Sequence, residues 1–224
     1  MIEQYTLYDI GNLTDRFGLA SGVPKGVKPR YNISPTQSGV VVVASNDTTE
    51  LVSMQWGLVP KDAKSNNSVF RYKTFNAASE KVFIKPSWNT AIRHQRCIIP
   101  ANGFYMWRSQ PGSKDAYYFS DEAKELLAFG GIYSTWIDPA GKQQQTYAML
   151  TIEANETMPL PFRRMPVILH RADETNWLDA SVDDFSSLVR AMRPYEGSAL
   201  SYSLVSSEVA STKVDNARLI QPLH

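Results

Sequence analysis

Arg96-Cys97-Ile98-Ile99-Pro100-Ala101-Asn102-Gly103-Phe104-Tyr105-Met106-Trp107 opens on a short apolar run and closes on an aromatic cluster. Residues 97–99 make a run too short for a helix and rich in β-branched side chains, so they read as a strand. Runs of the same kind recur at 39–44, 51–56, 117–119, 126–133, 146–152, 166–169 and 202–205. Between them lie turn-forming clusters such as Ser45-Asn46-Asp47, Gln110-Pro111-Gly112-Ser113 and Asp138-Pro139-Ala140-Gly141, whose Asn, Asp, Pro and Gly suit tight reversals. Helical signals are fewer. Asp173 is placed to cap a helix through Trp177 and Leu178, and residues 182–192 carry Phe185, Leu188 and Met192 on one face. An α+β single domain with a strongly curved or barrel-like sheet follows.

Composition sets the outer limits. The chain has 224 residues, 43% of them hydrophobic and 20% charged, enough to bury a sizeable core in one unit. The longest aliphatic stretch, residues 39–44, falls far short of the roughly 20 apolar residues of a membrane-spanning helix. No secretory leader is visible in Met-Ile-Glu-Gln-Tyr at the start, so a cytoplasmic protein that does not cross a membrane is expected. A single cysteine, Cys97, and three scattered histidines predict no disulfide, no metal cluster and no cofactor.

The net charge of +1 is uninformative, but its distribution is not. Residues 61–97 hold eight basic side chains (Lys61, Lys64, Arg71, Lys73, Lys81, Lys85, Arg93, Arg96) against Asp62 and Glu80, a balance of +6 that leaves −5 for the remainder. Such asymmetry suits an anionic partner. The alternative is that these charges are scattered over a solvated surface.

Four segments carry a family resemblance: Tyr31-Asn32-Ile33-Ser34-Pro35, Trp56-Gly57-Leu58-Val59-Pro60, Phe75-Asn76-Ala77-Ala78-Ser79-Glu80 together with the stretch quoted above, and Thr151-Ile152-Glu153-Ala154-Asn155 leading to Arg164-Met165-Pro166-Val167-Ile168-Leu169. A fifth is Leu219-Ile220-Gln221-Pro222. In order and spacing they resemble the SRAP (SOS response-associated peptidase) family over nearly the whole chain. The resemblance implies one SRAP-like domain over residues 1–224, with a mainly antiparallel, barrel-like sheet and a few flanking helices. It also implies a protein that binds single-stranded DNA, or a junction of single and double strands, and forms a covalent adduct with the aldehyde of an abasic site. The family's nucleophile is a cysteine at position 2, freed by removal of the initiator methionine; its thiol and α-amine close a thiazolidine ring on the sugar. An Asn in Asn-Ala-Arg-x-Glu, a Glu in Gly-Phe-Tyr-Glu-Trp and a His shortly before Arg-Met-Pro complete the site. Family members are also thought to cleave their own N-terminal peptide bond and to reverse the crosslink.

Set on that pattern, the chain departs at most catalytic positions. Position 2 is Ile2, and Met1 is expected to stay, since the initiator is normally trimmed before a small residue. Met106 replaces the glutamate, and a thioether moves no proton. Phe162 replaces the histidine, the side chain that titrates near neutrality. Asn76 alone is retained, while Ala78 and Glu3-Gln4 stand where two family arginines are expected. Removing the partners of a polar network together is tolerable, whereas removing one strands the others. Conversion of the pocket into packed core is therefore expected, with Ile2, Met106 and Phe162 sharing neighbours beside Asn76.

The retained residues have two readings each. Asn76 is either the remnant of a catalytic set or a residue that hydrogen-bonds backbone in a buried turn. Candidate nucleic-acid contacts are Arg164, Asn32, Pro35, Pro60 and Trp107. Arg164 offers a fork of donors suited to phosphate. Trp107 and the loop near Pro60 present faces to unstacked bases or else belong to the core, to which Trp56 is assigned. Cys97 reads as a buried hydrophobe, and His94 and His170 as surface or strand-edge residues. Three functions stay open: a non-catalytic, weak single-stranded or junction DNA binder; a protein-interaction module; and an enzyme using a substitute nucleophile. The first is preferred on the charge asymmetry.

Overall fold

The computed structural model describes residues 1–46, 48–63, 65, 73–182 and 184–223. In chain order its elements are β1 (Gln4–Leu7), α1 (Leu13–Phe17), β2 (Arg30–Ile33), β3 (Ser38–Ser45), β4 (Thr48–Trp56), β5 (Asn76–Ala78), α2 (Pro86–His94), β6 (Arg96–Ala101), β7 (Gly103–Gln110) and β8 (Ser113–Asp121). There follow β9 (Leu127–Ile137), β10 (Gln143–Glu153), β11 (Arg164–Pro166), α3 (Arg171–Leu178), α4 (Phe185–Ala191) and β12 (Leu200–Val205). The fold is α+β, as the strand runs and sparse helical signals predict.

Five strands, in the order β10-β4-β3-β6-β9, close on themselves through the β9–β10 pairing and form a barrel. β5 and β11 extend the far end of β10. Pairing is antiparallel except where β10 runs parallel to β4 and β5, so the barrel is mixed in a largely antiparallel structure. The apolar run of β3 is buried at five consecutive residues from Gly39 to Val43. A strand buried on both faces has no need of alternation.

A second sheet, in the order β12-β8-β7-β1-β2, leans on the barrel. The quoted stretch 96–107 joins the two: β6 belongs to the barrel, β7 to the second sheet, and Asn102 is the single residue between them. Asn102 explains the corner. Its Oδ1 accepts from the backbone of Tyr8 at 2.7 Å and Asp9 at 3.0 Å, and its own N–H donates to Thr6 at 2.9 Å. Gly103 follows because a Cβ there would lie 2.2 Å from the Phe119 carbonyl oxygen.

Barrel and sheet are pinned together through β1. The Tyr5 hydroxyl meets that of Tyr147 on β10 at 2.7 Å, both rings fully buried, and Tyr5 packs edge-on against Trp56. Burial pushes both phenols well above their usual range, so they stay neutral.

The helices begin elsewhere than the sequence signals suggest. Asp173 is not a cap: α3 starts at Arg171 behind His170, and Asp173 lies in the first turn, ion-paired to Arg193 at 2.6 Å. In α4 the carboxylate of Asp184 caps the helix through the N–H groups of Ser186 and Ser187. The unflagged α2 opens on Pro86 at its first turn, where a missing N–H costs nothing. Among the described residues no helix is long and apolar enough to cross a membrane.

Candidate functional site

β1 enters the second sheet between β2 and β7, and its register with β7 pairs Gln4 with Tyr105. The residues just before Gln4 therefore run out alongside Met106 and Trp107. There they border a cleft of about 250 Å³, with Met1 and Glu3 on one side and Met106 and Trp107 beside them. Lys114, Phe162, Arg163 and Arg164 complete its walls.

Two of the positions at which the resemblance expects catalytic groups meet at this cleft. Met106 and Phe162 both face the cleft, Met106 almost fully buried and Phe162 half-buried with its ring edge-on to Phe119 at 5.8 Å. Ile2 is fully buried. Asn76 grips it: Nδ2 donates to the Ile2 carbonyl at 2.7 Å, while the buried Oδ1 has no hydrogen-bond partner. Asn76 thus holds backbone in place and keeps one acceptor unmatched. Of the three apolar side chains expected to pack together, Met106 and Phe162 line the cleft, whereas Ile2 is buried outside its lining.

The nucleic-acid candidates divide. Trp107 lies at the cleft, its indole N–H donating to Gln4 at 3.1 Å and the Lys114 ammonium 4.7 Å from its ring centroid. Arg164 lies there too, but it is engaged. Its guanidinium pairs with Glu80 at 2.9 Å and donates to the Thr151 hydroxyl at 3.1 Å and carbonyl at 2.6 Å. Partial burial works to raise the Glu80 carboxyl, but hydrogen bonds and charge from Arg164, with help from backbone N–H groups, hold it below the usual carboxylate range. Pro35 and Pro60 sit half-buried in turns outside the cleft lining, next to the Thr36–Trp56 and Ala63–Pro60 backbone bonds.

Asn32 is taken up by the fold. Its side chain is fully buried, and Nδ2 lies 3.0 Å from the carbonyls of Val209, Ser211 and Val214, while Ser34 donates to its Oδ1. An amide enclosed in this way ties down the C-terminal segment and offers nothing to a phosphate.

Within the basic segment 61–97, Arg96 belongs to the interior. Arg96 is buried and donates to the carbonyls of Ile92, Arg93, Trp177, Asp179 and Val182. Lys85 lies over the Trp88 ring at 4.2 Å. Lys64 and Arg71 lie outside the described residues. Two exposed cations of the cleft, Lys114 and Arg163, come from other parts of the chain and were not singled out by sequence. Arg163 was legible as the neighbour of Arg164; for Lys114, on β8, only its position after the Pro111-Gly112 turn gave any hint. Cys97 is fully buried in β6, and burial pushes its thiol far above its ordinary range, which excludes it as a thiolate nucleophile.

Residues 4–212 match the family model described as SOS response associated peptidase (SRAP). The chain is 32% identical over 224 residues to the abasic site processing protein YoqW of Bacillus subtilis, with 99% of each chain covered. It is 30% identical over 227 residues to the abasic site processing protein HMCES of Gallus gallus, covering 88% of this chain and 67% of that protein. In three dimensions it superimposes on the crystal structure of a protein from Bacteroides thetaiotaomicron with a TM-score of 0.86 at 22% identity, covering 99% of both chains.

Proposed function

The chain belongs to the SOS response associated peptidase (SRAP) family, and on that premise we propose that it binds single-stranded or junction DNA at the β1 cleft without the family's covalent chemistry. The observation that carries this reading is the composition of the cleft. Met106 and Phe162 stand in its walls where the resemblance places proton-transferring groups, and Ile2 offers Asn76 a backbone carbonyl rather than a thiol. What remains is an open concavity with cations at its rim and an indole in its wall, a combination suited to non-covalent capture of an anionic strand. The relatives named as abasic site processing proteins support a DNA-damage setting.

The test is incubation with single-stranded DNA bearing one abasic site, followed by denaturing electrophoresis, with anisotropy binding run in parallel. The expected result is no adduct that survives denaturation without added reductant, and binding that fades as salt rises. A stable shifted band instead identifies an active enzyme with a substitute nucleophile.

A second reading, as a protein-interaction module, draws on one surface. Ile84 is 78% exposed and Phe185 57% exposed, and the rings of Phe83 and Phe185 lie 4.7 Å apart. Absence of DNA binding at low salt would favour that reading.

A further inference from the structure

Two of the arginines that motif and charge put forward for phosphate are engaged elsewhere: Arg164 with Glu80 and Thr151, Arg96 with backbone carbonyls. We propose that the phosphodiester-binding site of this chain is the pair Lys114 and Arg163, on different walls of the β1 cleft. The inference rests on the reading of the cleft as a site for single-stranded DNA and names the cations that do the binding.

Three observations carry it. First, both side chains border the cleft, and both residues are exposed. Second, neither is ion-paired among the described residues, whereas Arg16, Arg30, Arg164 and Arg193 all have carboxylate partners. An exposed cation without a carboxylate partner keeps its full charge for a ligand and breaks no ion pair on binding.

Third, Lys114 is restrained at its side chain and Arg163 at its backbone. Lys114 has its ammonium 4.7 Å from the Trp107 ring centroid, an arrangement that restrains a flexible side chain. Arg163 follows Phe162 into β11, and its carbonyl accepts from Ala154 at 3.1 Å, which fixes the backbone beside the end of β10. Trp107 is then a positioning residue: it seats the ammonium that meets the phosphate.

Glu3 gives the site a direction. Its carboxylate borders the same cleft from the β1 side and repels phosphate, so the sugar–phosphate chain is confined to the side of Lys114 and Arg163.

The test is fluorescence anisotropy of the full chain with a labelled oligothymidylate of about 12 nucleotides over a series of salt concentrations. Each cation that neutralises a phosphate adds about 0.7 to the slope of log affinity against log salt on a single strand. Lys114→Ala and Arg163→Ala are each expected to weaken binding roughly three- to tenfold at low salt and to flatten the slope by about 0.7. Trp107→Leu should weaken binding in step with Lys114→Ala. Glu3→Gln should tighten it. Arg164→Ala should leave affinity within about twofold and the slope unchanged. Thermal melts of each variant establish that it is folded. If Arg164→Ala flattens the slope while Lys114→Ala and Arg163→Ala do not, the assignment of the phosphate site is overturned and the DNA reading stands. If the wild-type chain fails to bind even at low salt, the DNA reading itself falls.

Discussion

At the start of β6 Arg96 is 3% exposed and distributes its guanidinium among backbone carbonyls, whereas at the β1 cleft Lys114 and Arg163 stand exposed without a carboxylate partner among the described residues. The carbonyls that Arg96 serves include those of Ile92 and Arg93 near the end of α2 and Trp177 at the end of α3, groups that a helix terminus leaves unpaired. The cation also complements the negative ends of both helices. Identical formal charges thus do opposite work: one closes the structure and is lost to any ligand, the others leave a potential at the surface. What separates them is the surroundings, which decide whether a positive charge belongs to the fold or to a partner.

That contrast is broken most directly at Arg96. Arg96→Met keeps much of the aliphatic stem and removes every donor. A buried polar group left unsatisfied costs about 1–3 kcal/mol, and several carbonyls are affected, so a loss of about 3 kcal/mol or more is expected in urea unfolding. Below the unfolding transition, oligonucleotide affinity should match wild type. Reduced affinity in a fully folded variant would show that Arg96 acts on the ligand and erase the distinction.

A smaller effect is expected at Asn32, which serves the structured side in the same way. Asn32→Ala strands the carbonyls of Val209, Ser211 and Val214 and leaves Ser34 without its acceptor. Some of these carbonyls can turn to water near the surface, so about 2 kcal/mol is expected. The C-terminal segment should become susceptible to limited proteolysis before the barrel does. Uniform resistance to the protease would mean that other contacts, such as those of Asp215 with the backbone of Tyr31 and Asn32, suffice to hold it.

Much of the barrel was legible in short runs. Residues 39–44 and 97–99 fall inside β3 and β6 because a strand buried on both faces must be apolar throughout. That Met106 and Phe162 border one cleft was legible only through their places in a family pattern, since no local signal links residues so far apart in sequence. That Asn32 and Arg96 are engaged by the fold was hidden for one shared reason. A polar side chain in a motif or a basic segment looks available until the carbonyls that surround it are known, and those come from residues far along the chain. Lys114 escaped notice for the converse reason: nothing beside it in sequence shows that β8 brings it to Trp107.

The finest test of the contrast moves one arginine from the engaged class to the available one. Glu80 is the carboxylate that holds Arg164, at 2.9 Å, and its side chain is 42% exposed. Its carboxyl is held below the usual range in the folded protein. A depressed folded value means that the pair contributes its full stability above the ordinary glutamate pKa of about 4.3 and loses it as pH falls through the lowered value. Because the pair is solvent-screened, that contribution is a few tenths of a kcal/mol. Glu80→Gln should therefore lower the melting temperature only slightly at pH 7, and the difference from wild type should vanish in strong acid. The same substitution frees the Arg164 charge beside the cleft while Thr151 continues to accept its hydrogen bonds. Oligonucleotide affinity should rise, with a salt slope steeper by at most about 0.7. If affinity and slope are unchanged, Arg164 is fixed by Thr151 alone and its distance from the strand, rather than its carboxylate partner, is what keeps it out of the phosphate site.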